Sequence, residues 1–158
     1  MSRGYLYAIQ RLQNILTNGP LEKYYNLPDN FKIKTNCSEQ ANNIILSILY
    51  YSYPEFSKIK ELPFEISCII HSYLYNKIEI NILIIYPLEY PFVSPIWTLI
   101  NVKHNFKTLL NLNKYYKYLI DTHNHKHLKY WSPAITIASN ILEFIQQINH
   151  IEYILSYS

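Results

Sequence analysis

The stretch "IEINILIIYPLEYPFVSPIWTLINV", Ile78 to Val102, contains the clearest strand pattern of the chain. Isoleucines at every second position, 78, 80, 82 and 84, alternate there with the polar Glu79 and Asn81. This period is typical of a β-strand that buries one face. A connection rich in proline follows, and "PIWTLINV", Pro95 to Val102, predicts the next strand of an antiparallel meander.

The segments before this stretch predict further strands. In "PFEISCIIH", Pro63 to His71, apolar residues at 64, 66, 68 and 70 alternate with polar ones. We therefore expect residues 63–71 to form a hairpin with residues 78–84 and to bury one face. Nearer the start of the chain, Leu21 to Lys34 is predicted to be a connection that contains a short strand at Phe31 to Lys34.

Helical spacing occurs near both ends of the chain. "YLYAIQRLQNILT", Tyr5 to Thr17, places its apolar residues on one stripe, and Asn18-Gly19-Pro20 ends the helix. Pro133 is predicted to open the last helix, because proline in a first helical turn removes no hydrogen bond. The core side of that helix is expected to consist of Ile137, Ile141, Leu142, Ile145 and Ile148.

Two segments have a less regular pattern. Residues 38–52 favour a helix that ends before Pro54, although the run from Ile44 to Tyr51 also fits a buried strand. The segment from Val102 to Trp131 is rich in Asn, Lys, Tyr and His and is predicted to be irregular. The resulting order of elements predicts an α+β fold in which an antiparallel meander sheet packs against helices.

Length and composition restrict the class of protein. At 158 residues, we expect one compact unit, in which residues 1–36 form an N-terminal helix and connecting segment and residues 37–158 the main domain. A net charge of +3 with scattered lysines gives nucleic-acid binding little electrostatic support. With two glycines, the chain is not expected to contain a glycine-rich loop that binds phosphate. No cofactor is expected.

Cysteine content and apolar runs give an expected location. Cys37 and Cys68 are too few for a secreted disulfide framework, and the start of the chain lacks the pattern of a signal sequence. No apolar run reaches the ~20 residues that a membrane helix needs. We therefore expect an intracellular protein, cytoplasmic or nuclear, that does not associate with a membrane.

Two motifs resemble the ubiquitin-conjugating enzyme superfamily. They are "YPLEYPFVSP", Tyr86 to Pro95, and "WSPA", Trp131 to Ala134, in the order in which that family has them. The similarity extends from about Pro63 to Gln147, and Tyr53 to Phe56 further resembles the related RWD domains. The resemblance implies a conjugating-enzyme-like fold for residues 37–158. It also implies that the helix over 38–52 is the first helix of the family and that the helix at 5–17 is an extra element.

Departures from the family pattern imply a protein without catalytic activity. Conjugating enzymes carry ubiquitin as a thioester on a cysteine between the last strand and the Trp-Ser-Pro-Ala motif, and this chain has no cysteine there. Cys68 is interpreted as a buried packing residue and Cys37 as an ordinary structural one. His104-Asn105 resembles the family's His-Pro-Asn turn without its proline, and is interpreted as a vestigial turn.

Two further departures point the same way. The helix assigned to 38–52 has no lysine or arginine, whereas conjugating enzymes engage the activating enzyme through basic residues on their first helix. The chain also ends soon after the last predicted helix, as in the catalytically inactive conjugating-enzyme variants. We therefore expect a binding protein and not an enzyme.

The resemblance also implies where a partner would bind. Active family members dock RING-type ubiquitin ligases through two loops, which correspond here to Phe92 and to Trp131, Ser132, Pro133 and Ala134. The same residues are also suited to a purely architectural role at the corner between sheet and helix. The expected partners are ubiquitin, an active conjugating enzyme or a RING-type ligase. Two alternatives stay open: a divergent conjugating enzyme with a displaced nucleophile such as Cys68, and a structural subunit of a larger complex.

A histidine-rich stretch, "DTHNHKH" from Asp121 to His127, is a candidate metal site. On an extended segment, His123, His125 and His127 would all point to the same side. An exposed loop without a thiolate favours the simpler interpretation of a solvated segment that replaces the family's catalytic region. The sequence therefore leads us to expect no metal site.

Overall fold

The structure is a computed structural model that describes residues 2–27, 31–52, 63, 66, 76–105 and 111–156. Its helices and strands, in chain order, are α1 (Arg3–Thr17), α2 (Leu21–Tyr24), β1 (Phe31–Ser38), β2 (Asn43–Ser52), β3 (Asn76–Ile85), β4 (Ile96–His104), α3 (Leu112–Tyr130) and α4 (Ile137–Ser156). The predicted α+β class is confirmed. Among the described residues, no helix has the length and apolar character needed to cross a membrane.

The four strands form one antiparallel sheet in the order β1-β2-β3-β4. Ile48 of β2 lies between Ile33 of β1 and Ile80 of β3 in the register. A register irregularity between Asn81 and Ile82 interrupts the pairing of β3 with β4. The strands predicted over 78–84 and 95–102 are confirmed, and the short strand predicted at 31–34 continues to Ser38.

One face of the sheet forms the core together with the helices. The alternating residues of β2 and β3 are fully buried, namely Ile44, Leu46, Ile48, Tyr50, Ile78, Ile80, Ile82 and Ile84. Trp97 of β4 packs its ring against Phe144 of α4 at 5.1 Å between centroids, and Tyr50 of β2 shares a 2.7 Å hydrogen bond with the hydroxyl of Tyr116 on α3. The core therefore lies between the sheet and the helices α1, α3 and α4.

The prediction of a helix over residues 38–52 is wrong. Residues Asn43–Ser52 are strand β2, which follows a turn where Asn42 adopts a left-handed backbone with φ 47°. The alternation that buries Ile44, Leu46, Ile48 and Tyr50 is the period of a strand. The competing strand interpretation was therefore the correct one. The predicted strand over 63–71, including Cys68, lies outside the described residues apart from single positions, and β3 pairs instead with β2.

The prediction that residues 102–131 are irregular is also wrong for most of this segment. Residues Leu112–Tyr130 form α3, and the side chain of Asn111 caps its start by accepting from the Lys114 amide. Its buried positions are Leu112, Tyr116, Ile120, His123 and His127, spaced three and four apart. The pattern was missed because one tyrosine and two histidines occupy positions that are usually aliphatic.

The last helix begins later than predicted. Pro133 lies in a turn, and α4 starts at Ile137 after Thr136. The Ser139 amide donates to Thr136 Oγ1 at 3.1 Å, and the Thr136 amide donates to Ser139 Oγ at 2.9 Å. This reciprocal pair has the form of a capping box. The predicted core positions 137, 141, 145 and 148 are confirmed, whereas Leu142 is half-buried and Phe144 was missed.

The cap gives a first prediction. Replacing Thr136 by alanine should lower the free energy of unfolding by about 1 kcal/mol. The substitution removes two hydrogen bonds of Thr136 Oγ1, one from the Ser139 amide and one to Ser139 Oγ. Urea denaturation followed by circular dichroism measures the change. Thr17→Ala is a matched control, since Thr17 is an exposed threonine at the other end of a helix, and its hydroxyl donates to the Asn14 carbonyl oxygen of the same helix. Equal effects of the two substitutions would contradict the assigned cap.

Helix α1 is joined closely to the sheet. Its buried Tyr5 donates its hydroxyl toward two backbone carbonyls of the β1–β2 turn, Ser38 O at 3.1 Å and Asn43 O at 2.7 Å. Strand β1 spans residues 31–38, so the boundary expected between 36 and 37 falls inside a strand. In the described part of the chain, α1 is the long helix that precedes the meander, and it is part of the same core.

Candidate functional site

Four segments of the chain meet at one groove. They are one side of α1, Tyr24 of α2, the Tyr90–Pro91 loop between β3 and β4, and residues 133–138 at the start of α4. The groove has a volume of about 320 Å³. Exposed Tyr7 and Tyr24 and the side chain of Arg11 stand at its walls. The groove therefore combines apolar lining with one cationic side chain.

A close backbone approach positions α1 against the loop. Ser2 caps α1 and donates its hydroxyl to the Tyr90 carbonyl oxygen at 3.1 Å. A β-carbon placed on Gly4 would lie 2.7 Å from Pro91 Cδ and closer still to the Tyr90 carbonyl oxygen. Only glycine leaves room for this contact. The Tyr90–Pro91 peptide bond is cis.

Trp131 connects the two motif loops. Its indole Nε1 donates to the Pro91 carbonyl oxygen at 2.7 Å, and its ring lies 6.2 Å from the Tyr90 ring and 5.5 Å from the His127 ring. The following turn is closed by a bond from the Ile135 amide to the Ser132 carbonyl oxygen. Trp131 therefore has an architectural role, which holds the turn at 132–135 beside the Pro91 loop.

The other predicted partner-binding residues lie on the surface. The Phe92 side chain is 78% exposed, and Ser132, Pro133 and Ala134 are exposed. Pro133 and Ala134 line the groove, and Phe92 follows the lining residue Pro91 directly in the chain. Trp131, by contrast, is only half-exposed. The structure thus brings the two predicted loops together at one edge of the molecule.

The predicted vestigial turn lies elsewhere. His104 is the last residue of β4 and Asn105 follows it, whereas the Pro91 loop precedes the first residue of the same strand. The two ends of β4 are roughly 25 Å apart, at about 3.3 Å for each residue. Asn105 Oδ1 accepts from the Lys77 amide at 2.8 Å. This bond gives Asn105 a structural role at the end of the β3–β4 pair.

Of the two cysteines, only Cys37 is described. It lies in β1, is half-buried and packs against the core. Burial raises the pKa of the Cys37 thiol, and the neighbouring Glu39 carboxylate adds to this rise. A raised pKa keeps the thiol protonated and unreactive at neutral pH. Cys68 lies outside the described residues.

The helix that was predicted at 38–52 without basic residues is not formed, because Asn43–Ser52 is strand β2. In the described part of the chain, the long helix that precedes the sheet is α1. This helix contains Arg3 and Arg11, and Arg11 lines the groove. The groove side of α1, including Gly4 and Tyr7, was missed by sequence reasoning. A glycine in the first turn of a strongly amphipathic helix was the available signal.

Helical geometry changes the expected grouping of the histidines. On α3, His123 and His127 are one turn apart and buried, whereas His125 is exposed on another face. Glu143 of α4 completes the cluster, with its Oε2 3.0 Å from His127 Nε2, and its Oε1 contacts Lys126 Nζ. Glu143 could not be predicted from the sequence, because this contact joins two different helices.

The environment of the cluster sets its charges. Burial, followed by the neighbouring His127, lowers the pKa of His123 from 6.5 to about 4, against the opposing hydrogen bond to Asn140. The His123 ring is therefore neutral at pH 7. Partial burial raises the pKa of Glu143, but the Lys126 hydrogen bond and the neighbouring His127 and Lys126 outweigh it, so the pKa lies below its ordinary value. Glu143 is thus a carboxylate at neutral pH.

Trp131 contacts both Pro91, which lines the groove, and the ring of His127, which belongs to the histidine cluster. Comparisons of the chain with protein-family models, with curated proteins and with solved structures found no match.

Proposed function

We propose that this chain is a non-catalytic, ubiquitin-conjugating-enzyme-like protein that acts as a binding module in the ubiquitin pathway. Its partner is ubiquitin, an active conjugating enzyme or a RING-type ligase. The observation that supports this most directly is the 2.7 Å bond from Trp131 to the Pro91 carbonyl oxygen. This bond places the exposed Phe92 loop beside the exposed Ser132–Ala134 turn, and these are the two motif segments on which the resemblance rests.

The order of elements agrees with the proposal. A helix precedes a four-stranded meander, the tyrosine- and proline-rich loop joins its last two strands, and a helix follows the Trp-Ser-Pro-Ala motif. Helix α3 occupies the segment between β4 and that motif, where the family has its nucleophile. No cysteine lies between residues 69 and 158 of the sequence. Thioester chemistry at the family position therefore has no sulfur to use.

The groove has properties suited to protein recognition. An exposed aromatic side chain beside rigid prolines loses little conformational entropy when it is buried in an interface. Tyr7 and Tyr24 add large side chains with few torsions, and Arg11 adds a cation that can pair with an acidic partner. With α1 as the first helix, Arg11 is a basic residue of the kind through which conjugating enzymes contact the activating enzyme.

Direct titration tests the proposal. The ¹⁵N-labelled chain is titrated separately with ubiquitin, an active conjugating enzyme and an isolated RING domain, and NMR shifts are followed. We expect one partner to shift amides of residues 4–15, 88–93 and 132–138. Phe92→Ala and Pro133→Ala should each weaken that binding by about tenfold or more, because they remove the central apolar contacts.

A matched control distinguishes binding at the groove from non-specific binding to exposed aromatic side chains. Tyr118 on α3 is 67% exposed and does not line the groove, so Tyr118→Ala should bind as the wild type does. Absence of shifts with all three partners would refute the proposal and would favour the structural-subunit alternative.

Incubation with activating enzyme, ATP and ubiquitin tests whether the chain is non-catalytic. A thiol-sensitive ubiquitin adduct in that assay would show a divergent conjugating enzyme instead.

A further inference from the structure

We propose that His123, His127 and Glu143 form a binding site for one zinc ion that links helix α3 to helix α4. Potential ligand atoms, one from each of the three side chains, lie within 4.8 Å of one another. Two imidazoles and one carboxylate form a ligand set that proteins use for zinc, with water in the fourth position. The site is independent of the proposed function in the ubiquitin pathway.

Buried histidine ring nitrogens without a hydrogen-bond partner are the main support for the zinc site. Among the described residues, His123 Nδ1 and both ring nitrogens of His127 have no hydrogen-bond partner. His127 Nε2 lies 3.0 Å from Glu143 Oε2, but the geometry is not that of a hydrogen bond. Both rings are buried, so solvent does not satisfy these atoms either. Unpaired polar atoms in the interior are destabilising, and a coordinated metal ion would use their lone pairs.

Asn140 orients one of the ligands. Its Oδ1 lies 2.9 Å from His123 Nε2 and can only accept, so Nε2 carries the hydrogen and Nδ1 carries the lone pair. In zinc sites the ring nitrogen that does not bind the metal commonly donates to a carbonyl or carboxylate in this way. Asn140 is itself buried on α4. The bond to Asn140 therefore favours the tautomer of His123 in which Nδ1 has a lone pair that can bind a metal ion.

The surroundings suit a zinc ion as well. The His123 ring lies 4.6 Å from the Trp97 ring and 5.5 Å from the Phe144 ring, and Trp131 contacts the His127 ring. This aromatic wall limits access of water, which strengthens electrostatic attraction within the site. Tetrahedral zinc would bring its ligand atoms to about 3.3 Å from one another, at Zn–N bonds of about 2.0 Å. Rotation of side chains on two adjacent helices supplies this contraction.

Lys126 is the competitor for the site. Its Nζ contacts Oε1 of Glu143, so a zinc ion must share or displace this contact. Lys126 is more than half exposed and can turn away into solvent. Two opposite consequences follow for mutants: removing the Glu143 carboxylate should weaken zinc binding, and removing the Lys126 ammonium should strengthen it. Partial unfolding of a mutant could cause the first effect but not the second.

Zinc binding to the full chain, without a histidine tag and after treatment with EDTA, tests the proposal. Titration calorimetry with ZnCl₂ should give one ion for each chain. At about a hundredfold excess of zinc over its dissociation constant, Tm should rise by about 5 °C or more. MgCl₂ should produce no rise, because magnesium prefers oxygen ligands. A chain that binds no zinc, or one that binds zinc without any rise in Tm, would overturn the proposal.

Three variants locate the site. Glu143→Gln keeps the shape of the side chain and should weaken zinc binding by about tenfold or more, whereas Lys126→Gln should strengthen it by about threefold or more. His125→Gln is the matched control, since it removes an exposed histidine of the same helix, and its zinc affinity should not change. Loss of binding in His125→Gln, or equal affinity in the wild type and Glu143→Gln, would overturn the assignment. If Glu143→Gln does not fold, Lys126→Gln decides alone, and unchanged or weaker binding there refutes the site.

Discussion

Gly4→Ala is expected to lower the free energy of unfolding by about 2 kcal/mol, although alanine is the better helix former. The added methyl group would lie 2.7 Å from Pro91 Cδ and even closer to the Tyr90 carbonyl oxygen. Neither backbone carbonyl nor proline ring is a flexible chain end that can turn aside. Helix α1 must therefore move away from the loop, which strains the Ser2 bond to the same carbonyl.

The sign of this effect makes it diagnostic. At a position without close neighbours, replacing glycine by alanine within a helix stabilises it by about 1 kcal/mol. Urea denaturation of Gly4→Ala and wild type measures the difference. Gln10→Ala, at an exposed position of α1, is the matched control and should change stability by no more than about 0.5 kcal/mol. A more stable Gly4→Ala protein would show that α1 and the Pro91 loop are not in contact.

Lowering the pH from 7 to 4 should cost the folded state about 3 kcal/mol through His123 alone. The decrease in its pKa from 6.5 to about 4 means that, between these values, the unfolded chain binds a proton that the folded chain does not. The stability contribution is therefore complete above about pH 6.5 and is lost as the pH falls toward 4. Besides burial, the neighbouring His127 and Lys126 oppose protonation of the His123 ring, and the Asn140 hydrogen bond and Glu143 favour it.

Urea denaturation at several pH values, with EDTA present to exclude metal ions, measures this dependence. The expected slope is up to about 1.4 kcal/mol for each pH unit below pH 6.5, for one proton. His123→Gln should show a slope smaller by about one proton, whereas His125→Gln, at an exposed position, should retain the wild-type slope. An identical slope in wild type and His123→Gln would mean that His123 is not a buried neutral ring in the folded protein.

Periodicity predicted those elements whose buried faces are aliphatic. The alternation in residues 78–84 and the stripe from Tyr5 to Leu12 were sufficient for β3 and α1, because one-sided burial imposes the strand or helix period on the sequence. It failed where polar or aromatic residues fill core positions. In α3, Tyr116, His123 and His127 are buried through ring contacts and a hydroxyl pair, which a scale of hydrophobicity does not register.

Residues 38–52 show a second kind of limit. Their apolar run fits either a strand or a helix, and the choice was made by pairing partners on both sides, β1 and β3. Those partners begin and end many residues away, so local spacing did not reveal them. A short apolar run that is buried between two strands has no local feature that excludes a helix.

The sequence by itself determined the α+β class, the isoleucine-rich centre of the sheet, and the lack of a thiol after Cys68. Each of these follows from residue type or from spacing within one element. Only the tertiary structure decided that Gly4 meets Pro91, that Trp131 bonds to the same proline, and that Glu143 joins the two histidines. These contacts join separate elements, and their geometry depends on how the helices and loops pack and not on any local period.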